Sequence, residues 1–84
     1  MKDIHITKHR QIGLKIAYYR KLKSITQEEL AEKTGLSAAY VGHIEAPNIN
    51  KGISLDTLFD IASALDIPAY KLIMFDEWFF TIRN

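Results

Sequence analysis

Cysteine is missing from all 84 residues, so neither a disulfide framework nor a thiolate metal site can be built, and a reducing compartment suits the chain. Long apolar runs are missing too. Met1 is followed by Lys2 and Asp3, and no stretch approaches the roughly 20 apolar residues that span a bilayer, so a cytoplasmic protein is expected. Catalytic groupings are equally scarce: no nucleophile with its base, metal cluster or phosphate-cradling loop can be assembled, which excludes an enzyme and leaves no expected cofactor. Glu28, Glu29 and Glu32 read as a first-turn and solvent-face acid run rather than a catalytic pair. His5 and His9 lie four apart, but no third ligand accompanies them and their segment reads as extended.

Net charge is small as well. A balance of +1 gives no argument for nucleic acid, yet its distribution is uneven, because residues 1–25 hold seven Lys and Arg against Asp3 alone and residues 26–84 carry the compensating −5. That basic third can supply sequence-independent phosphate attraction, or it can be the solvated outside of a helix. A chain of 84 residues is expected to form one domain with a single, marginally stabilised core, which makes oligomerisation a reasonable expectation.

What the chain does have is concentrated between Thr26 and Glu45. Thr26 followed three residues later by Glu29 is a capping box and predicts a helix from Gln27, with Leu30 and Ala31 facing inward. Gly35 can take the left-handed conformation that ends it. Leu36 then points inward, Ser37 is the next N-cap, and Val41 with Ile44 gives an apolar edge to a second helix ending near Glu45. Two short helices joined by a glycine-containing turn match the helix-turn-helix, whose second helix can enter a DNA major groove.

Gln27, Leu30, Ala31, Gly35, Ser37, Tyr40, Val41, Ile44 and Glu45 stand at the spacing of the Cro and phage-repressor family, also called the XRE family, which this stretch resembles. The resemblance runs upstream through Arg20, Ile16, Gly13 and Ile12, and downstream through Ser54, Leu55, Leu58, Ile61, Ala62, Ala64 and Leu65, covering about Ile12 to Ile73. It implies an all-α, five-helix lambda-repressor-like DNA-binding domain. The corresponding organisation is an N-terminal extension over residues 1–7, the helix-turn-helix domain over 8–74 and a short aromatic C-terminal tail over 75–84. It also implies a partly buried structural ion pair between Arg20 and Glu45, so that Glu45 holds the fold rather than touching DNA.

Elsewhere the chain is less decisive. Lys2 to Thr7 alternates as a short strand would, with Ile4 and Ile6 on one side. The first helix is expected over about Lys8 to Lys23, with Ile12, Ile16 and Tyr19 facing the core. Leu14, Tyr18 and Leu22 form a second apolar line that the core does not explain. Ile25 is a staple candidate in the turn before Gln27. Residues 46–52 read as a loop, in which Ala46 and Pro47 depart from the glycine or asparagine usual in the family. Ser54 should cap a helix whose buried stripe is Leu55, Leu58, Ile61, Ala62 and Leu65, and Pro68 should open a fifth helix with Tyr70, Leu72 and Ile73 as its contacts. Phe59 falls outside the stripe and is a dimer-interface candidate against simple partial burial. Trp78, Phe79 and Phe80 are candidates of the same kind: the tail covers the first helix of its own chain or of a copy, or it awaits another protein.

For binding DNA, the Gln27 amide can donate to a phosphate beside the helix start, or it can be a solvent-exposed first-turn residue. Ser37, Ala38, Ala39, Tyr40 and His43 occupy the N-terminal part of the reading helix, with Gly42 permitting close backbone approach. The two alanines can touch thymine methyls or sit on a solvent face, His43 can bond a base edge, and Tyr40 can reach a phosphate. Asn48, Asn50 and Lys51 can reach phosphates from the following loop. The resulting expectation is a transcriptional regulator, a repressor binding double-stranded DNA as a homodimer on half-sites roughly 34 Å apart. The alternative is an antitoxin or co-regulator whose aromatic C-terminus binds a protein partner.

Overall fold

The structure, a computed structural model, describes residues 3–46 and 52–75. A 3-10 turn, Asp3–His5, leads directly into α1, Ile6–Leu22; α2 spans Gln27–Thr34, α3 Ala38–Glu45 and α4 Leu55–Ala64, and a second 3-10 turn occupies Ala69–Leu72. The described residues thus form four α-helices, and the expected fifth helix is a single 3-10 turn. Pro68 explains part of that difference. It stands just before the turn with extended backbone, at φ −63° and ψ 139°, instead of inside a first helical turn, and only four residues follow before the hydrogen bonding stops.

The alternating pattern at the N-terminus does not make a strand. Ile6 opens α1, and Ile4 is 80% exposed in the preceding 3-10 turn. An isolated extended segment leaves its backbone groups without partners, whereas joining the helix satisfies them within the segment. α1 consequently begins two residues before the expected Lys8.

The core is the meeting point of the four helices and the second 3-10 turn. Ile16 of α1, Leu30 and Ala31 of α2, Val41 and Ile44 of α3, Leu58, Ile61 and Ala62 of α4, then Leu65 and Leu72, are buried together, with Ile12, Tyr19, Ile25 and Leu36 packed against them. α3 lies against both α1 and α2, α4 against α2, and the second 3-10 turn against α1 and α4. Leu55 does not join its stripe: at the first residue of α4 it is 67% exposed, whereas Leu58 one turn on is buried. Tyr70 and Ile73 are likewise exposed, leaving Leu72 as the buried anchor of its turn.

Three helices end in one way. Ile25 N–H bonds Arg20 C=O, Leu36 N–H bonds Ala31 C=O, and Ile67 N–H bonds Ala62 C=O, each an apolar residue following one in the left-handed conformation. This is the Schellman arrangement, which satisfies terminal carbonyls and turns an apolar side chain back onto the core. Gly35, at φ 75°, adopts it without strain, while Ser24 at φ 58° and Asp66 at φ 55° do so with a Cβ in place. The candidate residues Asn48, Asn50, Lys51, Trp78, Phe79 and Phe80 lie outside the described residues.

Candidate nucleic-acid interface

The two helices of interest start from well-formed caps. Thr26 Oγ1 accepts from Glu29 N–H at 3.0 Å, and Glu29 Oε1 accepts from Thr26 N–H at 2.9 Å. These bonds, first that from the Thr26 backbone, hold the Glu29 carboxyl below its ordinary value. Ser37 Oγ accepts from Tyr40 N–H at 3.0 Å and opens α3. Only residues 35–37 separate the two helices, so the buried Leu30–Ala31 pair of one and Val41–Ile44 of the other are forced into contact.

The far end of α3 is fixed by charge. Arg20 Nε donates to Glu45 Oε2 at 2.7 Å and Arg20 Nη2 to Glu45 Oε1 at 2.9 Å, a two-pronged pair whose side chains are only 10% and 5% exposed. A third guanidinium nitrogen, Nη1, donates to Ile25 C=O at 2.8 Å. Bonding to Glu45 raises the Arg20 pKa above its already high ordinary value, against the opposing effect of burial. Gln27 adds a further donor, its Nε2 lying 3.0 Å from Glu45 Oε1. The network therefore ties α1, the turn after it, the start of α2 and the end of α3 into one unit.

Gln27 is thus not simply a free solvent-facing first-turn residue. One of its two amide hydrogens holds Glu45, and the other remains for an external acceptor. Nothing local signals this bond, since 18 residues separate the partners. Gly13 is another residue whose part was not legible from the chain. A Cβ there would fall on the Ile44 carbonyl oxygen and press on the carbonyl carbon, so its lack of a side chain sets how closely α1 approaches α3. Lys15 is also buried, at a position the helical periodicity of α1 left unassigned.

With Val41, Ile44 and Glu45 inward, α3 divides its remaining residues unequally. Ala38 and Tyr40 are half-buried against the core, which limits how far either can reach outward. Ala39 and His43, four apart and both exposed, form the outermost line, with Gly42 half-exposed on the flank nearest Gln27. Ser37 is exposed at the helix start, its hydroxyl already accepting the capping bond. Among the described residues, no group of three or more His, Cys, Asp or Glu is placed to hold a metal, and no helix is long and apolar enough to cross a membrane.

Two short helices locked at a fixed angle, the second presenting an uncovered outer face, define a helix-turn-helix domain. Residues 16–72 match the helix-turn-helix family, and the chain belongs to it, within the XRE group of DNA-binding regulators. Among curated relatives, the control protein C.SmaI of Serratia marcescens is 38% identical over 55 residues, 66% of this chain and 63% of that protein. The HTH-type transcriptional regulator SinR of Bacillus subtilis is 36% identical over 62 residues, 74% of this chain and 55% of SinR. This chain accordingly spans less than two thirds of the length of the curated relatives it matches. The crystal structure of the restriction-modification controller protein C.AhdI from Aeromonas hydrophila superposes with a TM-score of 0.76 at 32% identity, covering 84% of this chain and 99% of that one. SinR in a solved complex with SinI gives a TM-score of 0.68 at 32% identity over 86% of this chain and 75% of that chain.

Proposed function

We propose that this protein is a sequence-specific DNA-binding transcriptional regulator, acting in the cytoplasm as a dimeric repressor that lays α3 in the major groove. The observation that carries the reading is the outer face of α3. Ala39 and His43 project from a helix whose inner side is held by the core and by the Arg20–Glu45–Gln27 network. A helix fixed at both ends can present side chains to base edges without losing much freedom on binding. The relatives named as control protein, controller protein and transcriptional regulator support the same activity.

In this reading Gln27 donates its remaining amide hydrogen to a phosphate, and Ser37 and Tyr40 border the same strand. Ala38 and Ala39 contact thymine methyls, with Ala39 the better placed because it is exposed. His43 bonds a base edge. Asn48, Asn50 and Lys51 supply phosphate contacts from the loop, of which Lys51 carries charge. Few polar groups face the bases, so a two-fold dimer on paired half-sites supplies the rest of the specificity. Phe59, 49% exposed beside the outward-facing Leu55, is the described candidate for that contact, and Trp78, Phe79 and Phe80 are sequence-based candidates.

Selection from a random duplex library, followed by binding measured across salt, tests this directly. His43→Ala is expected to change which bases are preferred, whereas Lys51→Ala weakens all duplexes alike and lowers the salt slope by about one. Recovery of no preferred duplex by the unaltered chain would overturn the reading. A second reading is favoured by the exposed Leu55, Phe59, Tyr70, Ile73 and Met74, and by SinR being seen with SinI: the aromatic C-terminus binds a separate protein partner, as an antitoxin or co-regulator does.

A further inference from the structure

The fold asks different things of its glycines. Gly13 has no room for a side chain against the α3 backbone, and Gly35 carries the positive φ that ends α2. Gly52 stands in irregular chain, where a helix former has no advantage. Gly42 is different from all three. It is the fifth of eight residues in α3, in an ordinary helical conformation, and a Cβ there would meet only Gln27 Oε1 at 3.5 Å, an ordinary van der Waals contact. Alanine fits this position and favours a helix interior more than any other residue, while glycine is among the poorest. The fold would be more stable without Gly42, so the space above its Cα serves something outside the chain.

Its surroundings say what. The position is half-exposed, flanked by the outer line of Ala39 and His43 on one side and by the Gln27 carboxamide on the other. That carboxamide donates one hydrogen to Glu45 and keeps one, next to the start of α2, where helix-end N–H groups favour an anion. We infer that Gly42 is where the sugar-phosphate of a bound DNA strand passes closest to α3, its missing side chain admitting the strand to Gln27. The inference rests on the regulator reading and deepens it: Gly42 sets how deeply α3 seats, and so affinity rather than base preference.

Gly42→Ala provides the test, with two probes: a duplex enriched from a random library by the unaltered protein, and a duplex of random sequence. The variant is expected to melt higher, by roughly 4–8 °C for a domain of this size. It is expected to bind both duplexes about tenfold more weakly, with an unchanged salt slope because no cation is removed. Equal affinity of variant and parent would overturn the inference while leaving the regulator reading intact. A lowered melting temperature would overturn it as well, since the glycine would then belong to the fold. A loss confined to the enriched duplex would assign Gly42 to a base edge and reject the phosphate. If the unaltered protein enriches no duplex, the regulator reading fails and this inference falls with it.

Discussion

Arg20 and Glu45 show what one pair of side chains can decide. With the guanidinium making three hydrogen bonds and both side chains nearly covered, removal of either partner leaves a charge without solvent or counter-charge. Arg20→Met is expected to cost about 3–5 kcal/mol of unfolding free energy in urea titration, with most of it restored when Glu45→Leu is added. If the double variant is no better than the single one, the pair is worth more than its own desolvation and this account of it is wrong. Gly13 acts at the same scale through the opposite property. Gly13→Ala must push α1 away from the Ile44 carbonyl and is expected to cost about 1–3 kcal/mol despite improved helix propensity, as measured by thermal melting.

At the scale of the element, the helix ends are the adjustable parts. Asp66 and Ser24 hold left-handed backbone that a Cβ disfavours, so Asp66→Gly is expected to gain about 0.5–1 kcal/mol, and a loss would show that the Asp66 side chain carries a bond of its own. The capping box at Thr26 is pH-dependent. Because Glu29 titrates below its ordinary 4.5 in the folded chain, its contribution is fully present above that value and is lost as pH falls through the lowered one. The stability gap between the parent and Glu29→Ala should therefore be constant from neutrality down to the carboxylate range and shrink in stronger acid. A gap that persists unchanged in acid would mean that the carboxylate charge contributes nothing. Thr26→Ala, which removes the other half of the box, is expected to cost about 1 kcal/mol.

At the scale of the whole molecule, the distribution of apolar surface matters more than its amount. Leu22 is 62% exposed at the end of α1, while Leu14 and Tyr18 of the same line are half-covered, so the unpartnered face is narrower than the sequence suggests. Leu55, Phe59, Tyr70, Ile73 and Met74 instead gather the exposure around α4 and the turn that follows it. Light scattering is expected to give a dimer, and Phe59→Lys a monomer with weakened binding to a paired site. Shortening the chain to Phe75 separates the two surfaces: retained dimerisation would assign the contact to the region of Phe59, and its loss would assign it to the aromatic tail.

Local chemistry alone accounts for much of the architecture. The Thr26–Glu29 box, Gly35, the Ser37 and Ser54 caps and the spacing of Leu30, Val41, Ile44, Leu58 and Ile61 each act within one turn of helix, so α2, α3 and α4 were legible in the chain. Elements whose form depends on distant neighbours were not. The residues leading into α1 have a strand pattern but, among the described residues, no strand to pair with, and Leu55 has the right period at the wrong place. Pro68 precedes a turn too short to become an α-helix. Gln27 was legible as the first residue of its helix, but its bond to Glu45 exists only because the core brings together residues far apart in the chain. Sequence by itself determined where α2 and α3 begin and end and where α4 begins, because capping and periodicity are short-ranged. Which face of α3 is left open, and how close α1 and Gln27 stand to it, were decided by packing, because those distances belong to three helices at once.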